Sequence, residues 1–303
     1  MSSTKNTRIE RMVAESLAIE ETSALDAGSL GFMARALVQA TMPHRNTDES
    51  RFIRTNGDYS LEMVAMKSGI GLPYGSMPRL ILAWMGTEAV RTQERKLELG
   101  DNMTAFMRQL GLESYGGRWG TITRLKEQTR RLLNCGISCS YTRLHDNASN
   151  EADTKMLVAD ETDLWWPVNS KTAANQSSLF KSTVTLSERF FNEIIAHPVP
   201  VDMRVLKQLK RSPMALDIYA WLTWRMSYLK RETTIPWQSL QAQFGAGYPM
   251  TTRGKLDFKA KFSKHLKEVL LYYPEAKVDS ETDGLTIKPS LTHISTPTTP
   301  MKY

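Results

Sequence analysis

Three carboxylates fall within four positions at Asp160, Glu161 and Asp163, the side-chain type that two-metal nucleases use to hold divalent cations. They lie just ahead of Trp165 and Trp166, in an alternating segment where they read as the solvated face of a β-turn. The 2 cysteines, Cys135 and Cys139, are spaced C-x-x-x-C. Without a second pair or nearby histidines they read as reduced, buried thiols and not as a zinc site. The 5 histidines, His44, His145, His197, His265 and His293, are scattered and none has a ligand-spaced partner. Phosphate-cradling glycine loops, G-x-S-x-G and H-E-x-x-H are all absent, and no tyrosine nucleophile has the histidine–metal motif that nicking enzymes need. The residues therefore predict no catalytic side chain, no metal and no cofactor, with a metal-dependent nicking enzyme kept as an alternative.

The chemistry that remains is electrostatic. The net charge of +7 is unevenly spread: residues 1–170 hold 20 Lys and Arg against 21 Asp and Glu, and residues 171–303 hold 19 against 11. An excess of positive charge confined to one half points to a polyanionic partner. Its densest stretch is a helix predicted over residues 253–273. At about 100° per residue, Phe258, Phe262, Leu266, Val269 and Tyr273 share one side. Arg253, Lys261, Lys264 and Lys267 lie near the opposite side, with the small Ala260 among them. Taken alone, this pattern fits either a nucleic-acid face or an ordinary solvated helix face, and Arg253 either a base reader or a terminal residue facing water.

The elements around that helix give it a setting. A shorter helix is predicted over residues 237–244, then a glycine break at Gly245 and Gly247. Two β-like runs follow, residues 276–279 and 285–288, joined by the turn signal Ser280-Glu281-Thr282-Asp283-Gly284. Helix, turn, basic helix and hairpin together read as a winged helix. Residues 75–166 show the same layout: a helix over 77–91, a short extended piece at 96–99, a helix over 102–110 capped by Asp101, a glycine break at Gly111, a helix from Gly117 to Leu133, and strands over 137–144 and 155–166 around the polar loop HDNASNEAD. In that last helix Ile122, Leu125, Thr129, Leu132 and Leu133 share a face. Arg124 and Arg131 point away, with Thr121 and Gln128 beside them. Trp119 reads as core.

The fold class predicted is helix-rich α+β, with two tandem winged helices forming a pseudo-repeat. At 303 residues and 41% hydrophobic content there is room for two domains with real cores. The expected division is an N-terminal helical arm (1–30), a first winged-helix domain (31–167), a polar linker (168–179), a second winged-helix domain (180–290) and a Ser/Thr/Pro-rich disordered tail (291–303). Helices are predicted over 8–20, 31–41 and 188–196, and strands over 59–66 and in the Thr-Val-Thr-Leu alternation after Phe180. No run of about 18 apolar residues could span a membrane, and the first twenty residues lack a hydrophobic signal core. The expectation is a cytoplasmic protein.

Several long stretches resemble the RepA-type plasmid replication initiators. They are YGSMPRLILAWMGTEAVRT (74–92), LELGDNMTAFMRQLGL (97–112) and GGRWGTITRLKEQTRRLL (116–133), followed by DIYAWLTWRMSYL (217–229) and IPWQSLQAQFG (235–245). Asp101-Asn102 stands where the family pattern has a Ser, and keeps its capping chemistry. The resemblance spans roughly residues 30–290. It implies an initiator with two winged-helix domains that binds double-stranded iteron repeats at a plasmid origin, promotes melting of adjacent AT-rich DNA, and recruits the host replication initiator and replicative helicase. It also implies plasmid copy control, autorepression as a dimer, and a place in the bacterial cytoplasm at nucleoid or plasmid.

On that resemblance the second winged helix is the main reader. Arg253, Lys255, Lys259 and Lys261 would lie near base edges and phosphates, and Lys264 and Lys267 would follow the backbone. Arg118, Thr121 and Arg124 occupy the corresponding place in the first unit, with a supporting role in backbone contact or dimerisation. A transcriptional repressor with no replication role remains the alternative.

Overall fold

This computed structural model describes residues 3–100, 102–115, 117, 120–145, 148–165, 182–245 and 247–294. The elements in chain order are α1 (Ser3–Glu20), β1 (Leu30–Ala34), α2 (Arg35–Gln39), β2 (Arg51–Asn56), β3 (Tyr59–Ala65), α3 (Ser76–Thr92), β4 (Lys96–Glu98), α4 (Met103–Gln109) and α5 (Thr121–Leu133). There follow β5 (Cys135–His145), β6 (Ala148–Leu157), β7 (Ala159–Asp163), β8 (Thr183–Leu186), α6 (Glu188–Ala196), β9 (Pro198–Asp202), α7 (Met203–Leu209) and α8 (Pro213–Met226). The chain ends in β10 (Thr233–Pro236), α9 (Trp237–Phe244), α10 (Thr252–Leu270), β11 (Val278–Ser280) and β12 (Gly284–Ile287). The fold is mixed α and β, with small sheets. It divides into a central unit, Phe32–Pro198, and a split unit made of the residues up to Gly31 together with those from Val199 on.

The central unit is built around α3. This helix is apolar on nearly all sides, with Leu80, Ile81, Ala83, Met85 and Ala89 buried, as befits a helix covered all round. Gly86 lets it approach closely: a Cβ there would sit 2.4 Å from the Phe32 carbonyl oxygen. Arg79, only 2% exposed, donates to the carbonyls of Met42, Pro43 and Gly75 at 2.7–3.2 Å. A buried guanidinium is tolerable only when it is hydrogen-bonded in this way. Arg79 of the PRLILAW run is thus a structural tie.

Two antiparallel sheets complete the central unit. One has the order β2-β3-β5-β6, with Asn56 opposite Tyr59 across the tight turn at Gly57, whose φ of +58° suits glycine. The other has the order β4-β8-β7. β8 is its middle strand, so β8 and α6 belong to this unit and do not open the second domain at residue 180 as expected.

The split unit is built around α8, whose Ile218, Tyr219, Ala220 and Leu222 are buried. Its start is fixed by Ser212, whose Oγ accepts from Ala215 N at 3.1 Å and is followed by Pro213 at the first helical position. The sheet order is β10-β12-β11, with Ile235 opposite Leu285 and Val278 opposite Ile287. α1 packs on α7 and is tied to the C-terminal elements by Arg8–Glu268 at 3.1 Å and by the Tyr272 hydroxyl on Glu15 at 3.4 Å.

Several sequence expectations need correction. The helix expected over 31–41 is strand β1 followed by the single turn of α2; Phe32 N donates to Thr87 Oγ1 at 3.1 Å, and that partner holds the backbone extended. The cap of α4 is Asn102, whose Oδ1 accepts from Ala105 N at 2.8 Å; Asp101 lies outside the described residues. α5 starts at Thr121, not at Gly117, whose φ of +96° is not helical. Most of the polar stretch expected as a loop is strand, for β5 and β6 stay paired as far as His145 and Ala148. The strand expected over 155–166 is divided between β6 and β7, which lie in different sheets. Gln128, expected on the exposed side of α5, is buried and accepts from Tyr74 N at 2.8 Å. The segment expected as a linker and most of the C-terminal tail lie outside the described residues.

The order helix, strand, helix, helix, hairpin recurs as α3-β4-α4-α5-β5-β6 and α8-β10-α9-α10-β11-β12. The sheets differ, however. β10 pairs with its own hairpin, whereas β4 pairs with β8, and the β5–β6 hairpin instead extends β3.

Candidate nucleic-acid interface

The basic helix α10 is held by one aromatic face and one tight turn. Phe258 and Phe262 lie tilted to each other at 5.6 Å between centroids; Phe244 meets Phe262 edge-on at 5.4 Å, Trp237 does so at 5.9 Å, and Trp221 reaches Phe244 edge-on at 5.4 Å. Edge-on pairs of this kind add to the burial term. At the N-terminus Thr251 Oγ1 accepts from Gly254 N at 3.1 Å. A Cβ on Gly254 would lie 2.0 Å from the Pro249 carbonyl oxygen, so the turn into α10 requires glycine there. The helix therefore has one orientation available to it, and the opposite face must meet solvent.

That opposite face is cationic. α10 carries six Lys and Arg against Asp257 and Glu268. Lys255, Lys261, Lys264 and Lys267 are exposed, as is Ala260. The Arg253 side chain is 84% exposed, with its Nε 3.2 Å from Asp257 one turn on. An exposed pair of this sort adds little stability, but it points the guanidinium outward along the helix face. Helical geometry puts Arg253, Ala260, Lys264 and Lys267 within about 40° of one line, with Lys261 about 80° from it. Lys255 lies about 160° from that line, on the side of the aromatic stripe, and is exposed because it stands in the first turn ahead of Phe258. Of the two carboxylates, Glu268 is engaged by Arg8 and by His265 Nδ1 at 2.9 Å. His265 is buried, which lowers its pKa against the pull of Glu268.

Lys259 is placed differently. Its Nζ donates to the carbonyls of Glu281 and Thr282 at 2.7 and 3.1 Å and lies 5.0 Å over the Trp237 ring. It holds the hairpin loop onto the helix. Asp279, Glu281 and Asp283 in and beside that loop are exposed, and Lys288 is paired with Asp279 at 3.2 Å and with Glu232 at 3.8 Å. The hairpin tip is acidic where the helix is basic.

In the central unit, Arg124 is exposed on α5. Thr121 Oγ1 donates to Glu113 O at 2.7 Å and accepts from Tyr115 N at 3.1 Å, closing the turn ahead of the helix. Arg118 and Trp119 lie outside the described residues. Arg131, read from sequence as pointing away, is drawn in: it pairs with Glu127 at 2.7 Å, donates to Asn46 and Leu72 at 3.0 and 3.1 Å, and lies 5.2 Å over the Tyr74 ring.

Sequence reasoning passed over Asp257 and Leu256. Their signal was the i,i+4 spacing of Asp257 from Arg253, and a leucine off the apolar stripe of a strictly two-faced helix.

The residues first considered for covalent chemistry have other surroundings. Asp160 is paired with Arg95. Burial pushes the thiols of Cys135 and Cys139 up to about 12 and about 11, which makes them poor nucleophiles. Among the described residues, no group of three His, Cys, Asp or Glu is placed to hold a metal ion, and no helix is long and apolar enough to cross a membrane.

Comparison with known proteins bears on this arrangement. Two crystal structures of RctB match in fold. One, of RctB domains 2–3 (155–483), has a TM-score of 0.50 at 14% identity over 84% of this chain and 96% of that one. The other, of domains 2 and 3 as selenomethionine derivatives, has a TM-score of 0.53 at 13% identity over 84% and 98%. No curated protein sequence matches the chain. The family model described as plasmid encoded RepA protein matches residues 72–239, more than half of the sequence and nearly all of the stretches that carried the resemblance. The chain belongs to the family of plasmid-encoded RepA proteins.

Proposed function

We propose that the chain is a plasmid replication initiator that binds repeated duplex sites at an origin through α10. The observation that carries this reading is the exposed row of Arg253, Lys261, Lys264 and Lys267 on a helix whose other face is fixed by buried aromatic rings. A rigid helix with a cationic outer face matches the dimensions and charge of a major groove. Both units are then winged helices: the split unit reads sequence, and the central unit supports it through Arg124 and other backbone contacts, or through dimerisation. The acidic hairpin tip of the split unit stays away from phosphate, and the helix supplies the contacts.

On this reading the chain does no covalent chemistry. It distorts the AT-rich DNA beside the repeats and hands it to the host initiator and replicative helicase, and as a dimer it represses its own gene and sets plasmid copy number. It works in the bacterial cytoplasm at the nucleoid or plasmid. Family membership supports the replication role, and the charge confined to residues 171–303 supports the assignment of the reader.

The test is the double variant Arg253→Ala, Lys261→Ala. Both side chains are exposed, so the thermal midpoint should stay within about two degrees, while sequence-specific DNA binding falls by about tenfold or more, the size of one lost bidentate contact of about 1–3 kcal/mol together with one lost phosphate contact. Unaltered binding would remove α10 from the interface.

A further inference from the structure

α10 has one residue that its fold does not use. Phe258, Phe262, Leu266 and Val269 are buried, whereas Leu256 is 57% exposed. It sits toward the cationic side, about 60° round the helix from Arg253 one turn before it and about 40° from Ala260 one turn after it. Leu256 and the exposed Ala260, one turn apart, form a small apolar spot beside the exposed Arg253. An apolar protein surface laid over this spot would also bury the Arg253–Asp257 pair, an unfavourable desolvation of two charges. A duplex meets both demands, because its phosphates take the cations and its major groove offers one apolar group, the thymine C5 methyl.

We infer that Leu256, backed by Ala260, seats a thymine C5 methyl, so that the recognised site carries an A·T pair one step from the base pair that Arg253 reaches. This rests on the reading of α10 as the DNA-reading helix. The step size follows from geometry: three helical residues span about 4.5 Å along the axis, close to the roughly 3.4 Å between successive bases of a strand. Leu256 adds discrimination at one position, while the neighbouring cations supply the affinity common to all sequences.

The experiment uses the full chain and a duplex that it selects from a random-sequence pool. Each thymine in that duplex is replaced in turn by deoxyuridine, which removes only the methyl group. At one position the substitution should weaken binding about fourfold, the value of one buried methyl-sized group. The variant Leu256→Ala, which alters no buried contact, should bind the thymine duplex about fourfold more weakly and show no further loss with deoxyuridine at that position. Equal losses in both proteins, or no sensitive position in either, would overturn the role of Leu256 while leaving α10 as the reader. Selection of no common sequence by the unaltered chain would overturn the reading of α10 itself, and the inference with it.

Discussion

Lys259 and Lys264 lie five residues apart on the same helix, yet their surroundings give them different work. Lys264 faces solvent, while Lys259 is bound to two hairpin carbonyls and covers the Trp237 ring. Charge-assisted hydrogen bonds and a cation–π contact at a half-exposed site are together worth about 1–2 kcal/mol. Lys259→Ala should therefore lower the stability of the full chain by about that amount in urea unfolding, whereas Lys264→Ala should leave it unchanged and weaken DNA binding more than Lys259→Ala does. The reverse pattern would make Lys259 a phosphate ligand.

His293 gives the split unit a pH dependence. Its Nδ1 is 2.8 Å from the Tyr219 hydroxyl, and its ring packs 5.0 Å from that of Tyr273. Burial lowers its pKa, Arg204 acts in the same direction, and Asp202 and Glu275 oppose. His265 is lowered as well, again chiefly by burial. The folded state keeps both rings neutral at pH values where the unfolded chain takes up protons. Stability is then fully present above the ordinary imidazole value of about 6.5 and is lost as pH falls through it. The unfolding midpoint should drop between pH 7 and pH 5.5. His293→Gln, which keeps an acceptor for Tyr219, should make that drop shallower; an unchanged slope would mean that the ring is not held neutral.

At the scale of elements, the turn from α9 into α10 has the least freedom. Gly254 lies against the Pro249 carbonyl with no room for a methyl group. Gly254→Ala should destabilise the split unit by more than about 2 kcal/mol and reduce DNA binding through loss of the folded turn, a loss that lower temperature partly restores. This turn also shows what was legible in the sequence. α10 and α9 could be read because their apolar residues recur at the helical period, α3 because its long apolar run follows Pro78 near a helix start, and the hairpin of β11 and β12 because Ser280–Gly284 is a strong turn signal.

Other elements left no such trace. β6 runs through Ser149, Asn150, Glu151 and Asp153, polar on both faces at a sheet edge, so alternation could not show it. Phe32 and Met33 fit a helix and a strand equally well in a short apolar run, and Thr87, 55 residues away in sequence, decides between them. The different partner of β4 was equally hidden, since strand pairing is a tertiary choice made by β8. In the site, exposure of Arg253, Lys261, Lys264 and Lys267 was legible from periodicity. The capture of Lys259 by the hairpin and of Arg131 by Tyr74, Asn46 and Leu72 was not, because those partners come from other elements.

For the molecule as a whole, the charge is divided along the chain rather than between the two units. Residues 1–170 are close to neutral and the positive excess lies in residues 171–303, where α10 carries the exposed row. An initiator that reads tandem repeats needs one strong reader per chain and an origin that repeats its site. The most direct test is footprinting of the purified full chain on the DNA flanking its own gene. Protection should recur at intervals of about two helical turns, with distortion of an adjacent AT-rich segment. Protection confined to a single inverted repeat at the promoter would contradict the initiator reading, and would make the protein a repressor that uses the same helix.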